Sequence, residues 1–143
     1  MASWSEVQAE APELAARARA LFDAFTHKTM ATLRRDGSPR ISGTEVEFSG
    51  GELFIGSMSR AVKALDLRRD PRFAIHSGSA DPPDWPGDAK IAGRAEEVSK
   101  PGADSHRFRL DISELVVVRL GDPADHLVIE SWHEGRGLSS IRR

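Results

Sequence analysis

The sequence predicts a mainly antiparallel β fold: a small barrel of six to seven strands, with an N-terminal helix and a short helix after the third strand. Three observations carry this. Short alternating segments recur with Gly, Pro, Asp and Ser turns between them. Only two stretches show helical spacing. The run Leu115-Val116-Val117-Val118 is apolar on both faces of a strand, so both faces need cover.

Ala11 to Thr26 reads as the long helix. Leu14, Ala18, Leu21, Phe22 and Phe25 recur three and four residues apart, and Pro12 is tolerated in a first turn. Trp4 and Val7 precede it, either as part of this helix or as a loose arm. Thr29 to Leu33 is the first strand. Arg35-Asp36-Gly37-Ser38-Pro39 is a turn, and Arg40 to Phe48 then alternates, with Ser42, Thr44, Val46 and Phe48 on one side. A turn at Ser49-Gly50-Gly51-Glu52 leads into Leu53 to Ser57, which makes an antiparallel meander.

Ser59 to Arg69 is the short helix, with Ser59 as N-cap and Val62 and Leu65 facing inward. Asp70-Pro71 ends it. Arg72 to His76 is a strand. Ser77 to Asp88 is a loop with three prolines, in which Trp85 is a local apolar plug, a lid over a planar ligand or an interface anchor. Ala89 to Val98, Phe108 to Leu120 and His126 to Trp132 complete the strands. A short basic tail, Glu134 to Arg143, follows.

The 143 residues fit one domain, 1–143, with one core. There are no cysteines, which excludes disulfides, thiolate metal sites and cysteine catalysis. The five histidines lack the spacing of a zinc motif, so no metal is expected. A net charge of -2 shows no basic excess for nucleic acid. The longest apolar run is far too short to cross a bilayer, and Met1 to Glu10 does not read as a signal peptide. A cytoplasmic protein without a membrane partner is the expectation.

Chemistry concentrates where a strand delivers Ser57, Met58 and Ser59 to the start of a helix carrying Arg60 and Lys63. Cations are unfavourable at the positive end of a helix dipole. A bound phosphate reverses that penalty, because it accepts from the backbone amides, the hydroxyls and both cations. The alternative is two solvated cations on a surface helix.

This segment, followed by Leu67 and Asp70-Pro71-Arg72-Phe73, resembles the pyridoxamine 5'-phosphate oxidase-like FMN-binding split barrels. The resemblance implies that Lys63, Ser57 and Ser59 hold an FMN phosphate, with Arg60 in a less direct role, since Val62 stands where the oxidases have Arg. Ala31-Thr32-Leu33, the Asp36-Gly37 turn and Pro39 to Thr44 resemble the first hairpin of the family. There the backbone of Arg40, Ile41, Ser42, Gly43 and Thr44 would lie along the isoalloxazine ring. A glycine within a strand lets a flat ligand approach, or marks a bulge.

Lys90 to Glu96 resembles a barrel strand of the family, whose start, at Asp88 and Lys90, can approach the cofactor of the partner. Glu130-Ser131-Trp132-His133-Glu134-Gly135 resembles a C-terminal segment of the oxidases, which implies that Trp132 and Arg142 reach the flavin from the second chain. Leu138 and Ser140 replace the Arg and His that grip the vitamin substrate in the true oxidases, so a true pyridoxamine phosphate oxidase is not implied. The resemblance thus implies a homodimer that binds FMN and acts on a small-molecule substrate. Its alternatives are a reductase using the F-420 deazaflavin, with Arg68, Arg69 and Arg136 available to an acidic tail, and a non-catalytic flavin carrier.

Overall fold

The computed structural model describes residues 2–143. The chain forms a split β-barrel, capped on one side by its N-terminal helices. Helix α1 is Trp4–Glu10 and α2 is Pro12–Ala24; strands β1, Lys28–Leu33, β2, Pro39–Thr44, β3, Val46–Ser49, and β4, Glu52–Met58, follow. Helix α3, Val62–Arg69, precedes β5, Arg72–His76, β6, Asp88–Glu97, β7, Ser105–Leu120, β8, Leu127–His133, and β9, Gly137–Arg142.

The hydrogen-bonded order is β2-β1-β5-β6-β7-β4-β3, and all pairs are antiparallel. Its two end strands, β2 and β3, are consecutive in the chain and separated only by Glu45. The strand expected over Arg40 to Phe48 is therefore one run that bends. Its first half pairs with β1 and its second with β4. Closure comes from that bend, while β2 and β4 touch without pairing. This gap is the split.

Strand β7 is the spine. Its first half pairs with β4 and its second with β8. A bulge at Ala92/Gly93 reverses its alternation, so that Phe108, Leu110 and Ile112 point inward before it and Leu115 and Val117 after it. A Cβ on Gly93 would overlap the Asp111 carbonyl oxygen. Glycine is required there because the bulge brings two backbones together.

Trp4 and Val7 form part of a separate first helix, capped by the Ser3 hydroxyl, which accepts from the Glu6 amide. The second helix starts at Pro12, and its side chains Leu14, Ala15, Ala18, Leu21 and Phe22 join the core. Trp4 and Phe22 both meet Phe48 edge-on, with centroids 4.8 and 6.5 Å apart.

Several expectations are corrected. The short helix begins at Val62, not Ser59; its N-cap is Ala61, and no side chain caps it. Arg60 adopts φ 64°, a left-handed conformation that breaks the helix before it starts. That delay rotates the buried face to Ala64, Asp66 and Leu67, leaving Val62 50% and Leu65 49% exposed. The short basic tail, to which no strand was assigned, pairs with β8 over residues 137–142 as a ninth strand. Its glycines, Gly135 and Gly137, take positive φ and turn the chain back.

Candidate functional site around the barrel split

The site is assembled from β2, the end of β4 and the start of α3. Strand β2 alternates, with Arg40, Ser42 and Thr44 facing inward and Ile41 and Gly43 outward. Lys63, in the first turn of α3, reaches across and donates from Nζ to the Gly43 carbonyl at 2.6 Å. Burial lowers its pKa below the ordinary lysine value, and among the described residues no carboxylate pairs with it. The two elements singled out from the sequence thus meet at one point.

Two hydroxyls on either side of the split are buried without a hydrogen-bond partner: Ser42 Oγ and Ser57 Oγ. Buried polar atoms are nearly always satisfied, so the orphan pair points to a missing acceptor or donor. The start of α3 adds amides that no side chain caps. The chemistry of this donor set suits a phosphate: hydroxyls, uncapped amides and an ammonium group that has no carboxylate partner among the described residues.

Met58 is 81% exposed, and Ser59 and Arg60 are exposed on the turn that follows. That turn is closed by the Ala61 amide donating to the Met58 carbonyl at 3.1 Å. The Thr44 hydroxyl is buried and donates weakly to the Glu45 carbonyl at 3.3 Å.

Arg40 has a different task. Its Nε donates to Asp66 Oδ2 at 2.7 Å. Asp66 is buried and also accepts from Thr32 Oγ1 at 2.8 Å and from Arg69 at 3.0 Å. Burial pushes the Asp66 carboxyl up, but the bonds from Arg40, Thr32 and Arg69 outweigh it and hold the pKa below the usual range. This network fastens α3 to β1 and β2, and so fixes where Lys63 can reach. Sequence reading missed Asp66, because a lone Asp in a helix gives no sign of being buried.

Two residues offered by the C-terminal resemblance sit elsewhere. Trp132 is 1% exposed, and its Nε1 donates to Glu10 Oε2 at 2.7 Å. It belongs to the core beneath the N-terminal helices, so its ring has no face to offer a flavin. Arg142 is exposed on β9, which among the described residues pairs with β8 alone. Trp85 is held by its own loop, through Nε1 to Asp88 Oδ1 at 3.1 Å.

The outer face of the sheet carries a cleft of about 250 Å³ lined by Thr29, Ala31, Ile41, Ala74, His76 and Lys90, among others. Ile41 is 73% exposed there. A second cleft of about 460 Å³ runs over Ser57, Met58 and Gly56 to Glu45, His106 and Arg107.

No protein-family model matches the sequence, and no curated protein matches it. Solved structures do match. A pyridoxamine 5'-phosphate oxidase-related, FMN-binding protein from Nostoc punctiforme aligns with a TM-score of 0.64 and 15% identity, over 92% of this chain and 93% of that one. The chain has the pyridoxamine 5'-phosphate oxidase-like split-barrel fold. An F420 reductase shares this split barrel at a TM-score of 0.55 and 16% identity, over 68% and 94% of the two chains. So does a heme-binding protein from Mycobacterium smegmatis, at 0.60 and 15%, over 88% and 86%. At these identities the split barrel is what is shared. No helix among the described residues is long and apolar enough to cross a membrane.

Proposed function

We propose that this chain binds FMN and acts as an oxidoreductase on a small molecule, with two copies of the chain completing each site. The observation that carries the reading is the pair of orphaned hydroxyls, Ser42 on β2 and Ser57 on β4, with Lys63 bonded to β2 at Gly43. Ser57, Ser59, Lys63 and the uncapped amides of α3 would hold the phosphate. Arg60 stands on the adjoining turn, has no ion-pair partner among the described residues, and is close enough in sequence to add a second cation.

FMN, when bound, supplies the hydride chemistry. The chain supplies placement. Among the described residues strand β2 pairs with β1 alone, so its other edge, where Lys63 takes the Gly43 carbonyl, would orient a planar ring and meet charge that develops on it. Gly43 keeps that approach open, since a Cβ there would meet nothing within 4 Å.

The exposed Ile41, with Ala31 and Ala74, forms the apolar outer face that a two-fold partner would cover. Light scattering tests this: a dimer at micromolar concentration is expected, and a monomer contradicts the shared site.

A second reading, an F-420 deazaflavin reductase, is favoured by one further feature. Arg34, Arg35, Arg40 and Arg69 line a cleft of about 460 Å³ beside α3. Four guanidinium groups there outnumber the two carboxylates of Asp36 and Asp66, so an acidic tail would be welcome. Of the three arginines first considered for that tail, only Arg69 lies in this cleft; Arg68 is bonded to Glu97. Parallel titrations of FMN and the deazaflavin, read by fluorescence quenching, separate the two. A carrier role is distinguished by turnover: a carrier binds but does not cycle with a reductant and an acceptor.

A further inference from the structure

The cleft beside α3 combines two features that seldom meet by chance: fixed arginines and bare apolar side chains. Arg34, Arg35, Arg40 and Arg69 line it, and so do Val62 and Leu65. Three of the arginines are held in place by the protein. Arg40 Nε and a terminal nitrogen of Arg69 donate to the two oxygens of the buried Asp66 carboxylate, at 2.7 and 3.0 Å. Arg69 also donates to the Leu33 carbonyl at 2.7 Å, and Arg34 to the Pro39 carbonyl at 2.6 Å. Side chains fixed in this way lose little further freedom when a ligand arrives. A guanidinium has five N–H donors, so each keeps donors to spare. The Arg40 and Arg69 side chains remain 28% and 32% exposed. Arg35 is exposed and has no ion-pair partner among the described residues.

The charge is unbalanced. Arg40 and Arg69 share the single carboxylate of Asp66. The other carboxylate, Asp36, accepts from the Ser38 amide and hydroxyl at 3.0 and 2.6 Å. Four cations face two anions, and a net positive charge is left over the cleft. The apolar part has its own origin. Val62 and Leu65 are three residues apart and share one face of α3. The left-handed Arg60 delays the helix and turns that face outward, so both are half-exposed. Single exposed apolar residues are ordinary. Two side by side, in a cleft of about 460 Å³ that also holds oriented charges, match what small-ligand sites offer.

We propose that this cleft is a second ligand site, which takes a small organic anion: an oxyanion, carboxylate or phosphate, carried on an apolar body. The arginines would hold the oxyanion through charge-assisted N–H donors. Val62 and Leu65 would be covered by the body of the ligand. The acidic tail of a deazaflavin answers the arginines alone, because it is polar throughout and would leave both apolar side chains bare. The site also stands apart from the proposed flavin site. Lys63 is bonded to Gly43 on β2 and does not line this cleft, so the inference does not depend on FMN binding.

The test uses isothermal titration calorimetry on the full chain, with FMN absent and then present. The probes are naphthoate, naphthyl phosphate, the uncharged naphthylmethanol, and glutarate, which has charge and no apolar body. One or both naphthyl anions should bind, and the tighter identifies the oxyanion. Naphthylmethanol and glutarate should each bind about tenfold more weakly, or worse. Arg35→Glu cancels the surplus charge and should weaken the naphthyl anions about tenfold. Leu65→Gln removes apolar cover and should weaken them about fivefold. Both positions are exposed, and melting temperatures check that the variants fold. FMN should leave the anion affinity unchanged. The inference is overturned if neither naphthyl anion binds, if the alcohol binds as well as they do, or if both substitutions leave their affinity unmoved. Displacement of the anion by FMN overturns it too, since the anion would then occupy the flavin site. Organic-anion binding without FMN binding would sink the flavin reading and leave this one standing; the reverse result would do the opposite.

Discussion

Replacing Asp66 with Asn tests whether the site is held in place by the network beneath it. The Asp66 side chain is 3% exposed and accepts from Thr32, Arg40 and Arg69. Asparagine keeps the shape but offers one acceptor oxygen, and turns an amide group toward donors. Breaking a buried ion pair from one side costs about 3–5 kcal/mol. Arg40 and Arg69 retain partial access to water, which recovers some of their solvation and sets the expectation at the lower end, about 3 kcal/mol. Unfolding entropy of about 2.1 cal/mol/K per residue gives about 0.3 kcal/mol/K for a chain of this length. The melting temperature should therefore fall by about 10 °C.

The pH dependence carries a sign. Asp66 has a folded-state pKa below its unfolded one, so its contribution is present above the ordinary carboxylate value near pH 4 and is lost as the pH falls below it. Thermal melts followed by circular dichroism at pH 7 and across the acid range check both points. The native and variant proteins should differ most at neutral pH and converge in acid. A drop under about 3 °C at pH 7, or a gap that ignores pH, refutes the reasoning.

Three further outcomes follow from the same geometry. Trp132→Phe removes the bond to Glu10 and part of a core ring, so it should cost about 1–2 kcal/mol in chemical denaturation. It should leave flavin affinity unchanged; a selective loss of binding would return Trp132 to the cofactor. Gly93→Ala drives a Cβ into the Asp111 carbonyl at the bulge and should destabilise by about 1–3 kcal/mol, measured the same way. Gly43→Ala meets open space in the free protein, so its melting temperature should hold, while FMN affinity drops because the ring can no longer approach β2.

The barrel was legible in the sequence because turn chemistry and alternation are local. Gly37, Gly50 and Gly51 sit at positive φ in the very turns that divided the strands. Arg72–His76 matched its strand to the residue. The misreadings have physical causes. Ser59 looked like a cap, but the left-handed Arg60 delays α3, and that three-residue shift turned Val62 and Leu65 outward. The tail was passed over as a strand because Ser139, Ser140 and Arg142 carry no apolar alternation; β9 is an edge strand held by its ladder to β8.

The Lys63–Gly43 contact joins two segments that stood out in the sequence, because a cation after a strand-borne hydroxyl is a local pattern. Asp66 did not stand out. Its network arises from helix docking, which joins residues far apart in the chain. Trp132 shows the opposite error, since a motif suggested a ligand contact where the fold needed a core ring.

The central claim is that Ser57 and Lys63 hold one phosphate. The most direct measurement is FMN binding to the native protein, to Ser57→Ala, to Lys63→Ala and to the double variant, with melting temperatures as a control for folding. Two groups acting on one phosphate should be coupled, so the double variant loses less affinity than the two single losses combined. Affinity that is absent in the native protein, or unmoved by both substitutions, contradicts the account.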